Sequence, residues 1–97
     1  MIKNILEHIN ETGDLYYSIN NIDCEDIDVS TIITLKKNHI ETLYDLSQMD
    51  LKDLYSMTVV EINKILSLFD KISTYCYYSD GTYILNNKGK EYLEKIA

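Results

Sequence analysis

Arginine, proline and tryptophan are absent from the 97 residues, and glycine occurs three times. Without arginine, that side chain's two-pronged grip on a guanine edge is unavailable. Without proline, and with so little glycine, the chain has no flexible linker and no low-complexity segment. No glycine-rich loop could cradle a phosphate, and nothing resembles a nucleophile elbow. No apolar run approaches the roughly 20 residues of a membrane span. The first residues lack the charged-then-apolar order of a signal peptide. Two cysteines, Cys24 and Cys76, are too few for a disulfide framework and read as free, buried thiols of a reduced compartment, which places the chain in the cytoplasm. His8 and His39 have no neighbour at zinc-ligand spacing. The expectation is a non-enzyme with no catalytic residue, no metal, no cofactor and no membrane contact.

Charge is what the chain has in excess. Sixteen acids against nine lysines give a net −7. Residues 1–35 hold seven acids and Lys3 alone, whereas residues 36–97 hold nine acids and eight lysines. The acidity therefore belongs to the N-terminal third.

The local signals are densest between Asp50 and Ile96. Thr58 and Glu61 make a capping box. Ile62, Ile65, Leu66 and Phe69 follow at helical spacing, predicting a helix over 59–71 with these four inward and Val60, Asn63, Lys64, Ser67 and Lys71 on other faces. Asp50 caps a shorter helix whose stripe is Leu51, Leu54 and Met57. Asp80-Gly81 lies between two runs rich in tyrosine, threonine and isoleucine, the signature of a two-residue type I′ hairpin. That turn pairs Ser79 with Thr82, Tyr78 with Tyr83, Tyr77 with Ile84 and Cys76 with Leu85, and puts Tyr75 and Tyr77 on the outer face. Asn86 or Asn87 caps a closing helix, with Leu93 and Ile96 inward and Gly89 allowing close approach.

Upstream, Ile2, Ile5, Leu6 and Ile9 form an amphipathic helix that Gly13 ends in the left-handed conformation. Leu15 to Ile19 reads as a short strand or a helical turn, and Asn20-Asn21 as a turn. Asp28 or Ser30 caps a helix carrying Ile32, Ile33 and Leu35. Ile40 is buried, and Thr42 caps a short helix with Leu43 and Leu46 inward. The fold class is mainly α with a β-hairpin (α+β), four to six short helices in a single domain. Residues 1–28 form an N-terminal helix and acidic segment, and 29–97 the core.

Residues 31–97 resemble a winged helix-turn-helix domain. Leu51, Met57, Ile62, Leu66 and Phe69 match its apolar skeleton, and residues 83–93 its strand-into-helix ending after the wing. The resemblance implies that helix 59–71 reads the DNA major groove, offering Asn63, Lys64, Ser67 and Lys71, with Lys88 after the wing. It also implies a homodimer through the added N-terminal helix, unless that helix covers the core. The departures are Ser56 where glycine is frequent, Glu61 and Asp70 beside the reading face, and Asp80 at the wing tip. Residues 27–54, with IDVSTIITLKKNHIETLYDL, are partly similar to the C-terminal domain of the bacterial RNA polymerase alpha subunit. Ser30 stands where that family carries a DNA-contacting arginine.

An arginine-free chain of net −7 is ill suited to DNA, whose affinity depends on neutralising phosphates. The expected function is that of a small acidic regulator, of the phage or mobile-element inhibitor type, that binds a protein. The expected partner is a nucleic-acid-handling protein with a basic surface. Asp14, Asp23, Glu25, Asp26 and Asp28 are its candidate contact residues, presenting carboxylates as a DNA mimic does. Tyr75 and Tyr77 are the candidate exposed aromatics. The alternative is a DNA-binding transcription regulator.

Overall fold

A computed structural model describes residues 2–96. Its order is α1 (Lys3–Thr12), a 3₁₀ turn (Ile19–Asn21), α2 (Val29–Lys37), α3 (Leu43–Ser47), α4 (Leu51–Leu54), α5 (Val59–Tyr75), β1 (Cys76–Ser79), β2 (Thr82–Leu85) and α6 (Asn87–Ile96). The fold is mainly helical with one two-stranded antiparallel hairpin, an α+β architecture as expected.

The helix starts follow their caps. Asp28 accepts from Thr31 N–H at the head of α2. Thr42 with Asp45, Asp50 with Asp53, and Thr58 with Glu61 each form a reciprocal capping box, heading α3, α4 and α5. These satisfy backbone donors that a helix start otherwise leaves orphaned. In the hairpin, Asp80 and Gly81 both take positive φ, and the four strand pairs have the register read from the sequence. Asn86 caps α6 by accepting from Gly89 N–H at 2.9 Å.

Two glycines are required by contact. Gly13 ends α1 at φ 71, and a Cβ there would stand 2.3 Å from Thr82 Cγ2. Its carbonyl accepts from Tyr83 N–H, so the end of α1 is seated on β2. A Cβ on Gly89 would stand 2.3 Å from the Tyr75 carbonyl, so α6 crosses the end of α5 only because that position is bare.

The core is one cluster, and the N-terminal third is at its centre. Ile2, Ile5, Leu6 and Ile9 are all buried in it, together with Leu15, Ile19 and Ile27. The four residues on which a dimer through α1 would rest are thus used within the chain. Residues 15–18 pass beside the start of α3, with an antiparallel bridge between Ser18 and Thr42, and with Ile19 N–H donating to Glu41, Leu43 N–H to Tyr17 and Tyr44 N–H to Leu15. Leu35, Ile40, Leu43 and Leu46 complete this side.

Several predicted faces are corrected. In α5 the buried positions are Glu61, Ile65, Leu68 and Ile72, whereas Leu66 is 61% exposed and Ile62 and Phe69 are half-buried. The inward face is rotated from the predicted one. The helix also runs four residues past 71. Ser73 and Thr74 lie in that extension and donate their hydroxyls to the carbonyls of Phe69 and Asp70 one turn back, as serine and threonine do inside a helix. Leu51 is 73% exposed, because α4 is too short to bring its first residue over the core. Ile33 is exposed on α2 and Thr31 is buried in its stead, its hydroxyl satisfied by Asp28.

Candidate functional site

The two predicted sites meet each other. Lys64 Nζ donates to Asp28 Oδ2 at 2.8 Å, and Lys71 Nζ donates to Asp26 Oδ1 at 3.0 Å. Both lysines leave the same flank of α5, seven residues apart and so two turns along it. Both acids come from the segment that leads into α2. Asp28 also takes the amide and hydroxyl of Thr31, and its carboxyl is held down at about 2, first by Lys64 and then by Thr31. The Asp26 side chain is 4% exposed, so it is not part of an acidic outer surface. Lys64 and Lys71, expected to reach for phosphates, are turned onto carboxylates of their own chain.

The other acidic candidates are partly structural. Asp14 accepts from Tyr16 N–H and pairs with His8 Nε2, each at 2.9 Å, and its carboxyl is lowered by these bonds in that order. Asp23 accepts from Glu25 N–H, which lowers its carboxyl too. Asp23 and Glu25 are exposed. Asn63 and Ser67 are exposed on α5. Lys88 stands on α6, where it borders a shallow cleft with Tyr92 and Lys95.

Of the aromatic candidates, Tyr77 is exposed as expected and pairs across the hairpin with the exposed Ile84. Tyr75 is corrected. It is the last residue of α5 and not a strand residue, half-buried, with its ring 5.0 Å from Tyr92. Tyr78 shares the Cys76 face by register but stays exposed, its edge against Tyr83. Cys24 is exposed, contrary to expectation. Cys76 is buried, which pushes its thiol up to about 11.

A third feature was missed. The apolar residues of α5 form more than one face. At about 100° per residue, Val59, Ile62, Leu66 and Phe69 cluster roughly a third of a turn from the buried stripe. This margin faces the opposite way round the helix from Lys64 and Lys71. It borders an open cleft of about 280 Å³ lined chiefly by Leu46, Met49, Leu54, Ile65, Leu66 and Phe69, from α3, α4 and α5. Leu51, Tyr55 and Val59, all strongly exposed, stand at the α4–α5 corner. The signal was in the sequence: Leu66 and Leu68 cannot both face one core, and the two helix stripes overlap at Ile65.

Among the described residues, no group of three or more His, Cys, Asp or Glu is placed to hold a metal ion. No helix among them is long and apolar enough to cross a membrane. The chain matches no known family model, no curated protein and no solved structure.

Proposed function

We propose that this is a non-catalytic acidic regulator that works by binding another protein, one with a basic surface. One observation carries the reading. The helix best placed to meet a partner, α5, has its two lysines engaged by Asp26 and Asp28, while its other outer flank is apolar. A helix that reads DNA needs bases free for phosphates. A helix that docks on protein needs uncovered apolar side chains, which isolated monomers seldom cluster without purpose. The net −7 favours a partner rich in lysine and arginine and a place in the cytoplasm among such proteins. Capture of partners from source-cell lysate, with and without nuclease, tests this. A protein retained after nuclease supports the reading, and material lost with the nucleic acid reverses it in favour of a DNA-binding regulator.

A further inference from the structure

The uncovered flank of α5 also indicates what kind of surface it takes. We propose that the cleft between α3, α4 and α5 docks an amphipathic helix of the partner, with apolar side chains entering beside Leu66 and Phe69 and lysines or arginines on the helix flanks. This rests on the protein-binding reading above and adds the site and the chemistry of its occupant.

The cleft is small for a metabolite. Its volume of about 280 Å³ lies just under the roughly 300–1,000 Å³ of most small-molecule sites. Its lining offers one polar side chain to orient a ligand, Ser47, beside the apolar Leu46, Met49, Leu54, Ile65, Leu66 and Phe69. It suits two or three aliphatic side chains presented by a rod, as in helix-in-groove recognition with anchors at i, i+3 or i+4 and i+7. Leu66, Val59 and Leu51 remain well exposed around it, so the apolar surface continues beyond the cleft.

Acids that adjoin the lining residues in the chain decide the occupant. Asp50 and Asp53 stand between Met49 and Leu54 in the chain and hold each other's backbone N–H at 3.2 Å, which fixes both carboxylates at the head of α4. Asp70 lies one turn beyond Leu66 on α5 and is exposed. Lys52 is the one base on α4. A second copy of the chain would bring the same three acids against themselves. An anionic lipid surface or a nucleic acid would be repelled likewise. A cationic helix gains at all three positions.

The test uses the ¹⁵N-labelled full chain and a synthetic helical peptide with leucines at i, i+3 and i+7 and lysines on both flanks. A control peptide keeps the leucines and replaces lysine by glutamate. Amide shifts should gather on 46–54 and 62–70. Leu66→Asp should weaken binding at least about tenfold, and Asp70→Lys should weaken it and flatten its salt dependence. Both positions are exposed, so an unchanged unfolding midpoint is the control for fold. The proposal fails if shifts gather on the hairpin or around Tyr16 and Tyr44. It fails equally if the glutamate peptide binds as well, or if no shift appears at about 1 mM peptide. Dimerisation of the free chain that Leu66→Asp abolishes would also overturn it, by making a second copy the occupant. If a protein captured from lysate is retained by Leu66→Asp, the cleft is wrong and protein binding still stands. If the wild-type chain captures nucleic acid alone, protein binding itself is wrong.

Discussion

Lys71 Nζ sits 3.0 Å from Asp26 Oδ1, joining residues 45 apart in the chain. The carboxylate is buried and the lysine is half exposed, so the stem of Lys71 lies along the protein while its charge meets an acid at the edge of the core. With Lys64 and Asp28 one step along, it fastens the segment before α2 to the flank of α5. Two residues that pointed in the sequence to opposite functions thus serve one structural purpose.

Lys71→Met should cost about 1–3 kcal/mol, because it strips a charged hydrogen-bond donor from a buried carboxylate. Asp26→Asn combined with Lys71→Met should recover much of that loss, since the amide needs no counter-charge. Urea unfolding of the four proteins in a double-mutant cycle measures this. Additive losses would show that the two side chains do not act as a pair.

Leu68→Ala and Ile72→Ala should each cost about 2–5 kcal/mol, because each empties a filled part of the core. Leu66→Ala should stay within about 0.5 kcal/mol, as a surface change does. Thermal or urea denaturation separates the two classes. Comparable losses at Leu66 and Leu68 would mean that α5 is turned otherwise.

This contrast also marks what the sequence could reveal. Signals that act within one turn were legible: the Thr58–Glu61 box, the Asp50 cap, the left-handed Gly13 and the Asp80-Gly81 turn each follow from backbone chemistry three or four residues wide. Gly89 was legible as well, as a bare position in a helix that must approach something. The face of α5 was not, because its apolar residues span more of the helix than its own core covers, and periodicity alone cannot say which margin is used. Tyr75 was read as a strand residue because its neighbours favour strand, whereas α5 continues through Ser73 and Thr74 and ends on it. The Asp26 and Asp28 partners could not be read at all. No local pattern ties positions 36 or 45 residues apart.

Acid should loosen the fold in a definite window. Asp28 is lowered from 3.8 to about 2 by Lys64 and Thr31, and Asp14 and Glu61 are lowered chiefly by the backbone N–H groups of Tyr16 and Thr58. A depressed carboxyl contributes stability above its unfolded value, and the contribution is lost as pH falls through the folded one. Stability should therefore decline between about pH 4 and pH 2. Asp28→Asn keeps a capping side chain but removes the titration, so its unfolding midpoint should be lower at pH 6 and fall less steeply below pH 4. A slope identical to wild type would contradict this role for Asp28.

Gly89→Ala should destabilise by about 1–3 kcal/mol, as overpacking does, although alanine is the better helix former. The added methyl would meet the Tyr75 carbonyl at 2.3 Å, a backbone atom that cannot swing aside. Asn63→Ala, at an exposed helical position, should be neutral or stabilising. Denaturation midpoints decide, and a gain at Gly89 would mean that α6 sits further from α5 than described.

Duplex DNA provides the sharpest separation between the two functions. Were α5 to enter the major groove, Lys64 and Lys71 would have to leave Asp28 and Asp26, and Asp26 would stay behind as a buried carboxylate. The other bases that the winged-helix reading would bring to DNA are Lys36 and Lys37 at the end of α2 and Lys88 and Lys90 on α6. Asp70 and Asp80 oppose them, and so do the seven acids of residues 1–35, screened but not silenced at a Debye length of about 8 Å. Few phosphates can be neutralised, and each neutralised phosphate is what adds affinity and salt dependence. Binding of a random duplex should therefore be no tighter than about 10⁻⁴ M at physiological salt. Fluorescence anisotropy with a labelled duplex, run from about 50 to 200 mM salt, makes the measurement. Micromolar, salt-sensitive binding that Lys64→Ala abolishes, in a variant whose circular dichroism shows it still folded, would restore DNA as the target. Lys37→Ala, which disturbs no ion pair with Asp26 or Asp28, guards against reading lost stability as lost affinity.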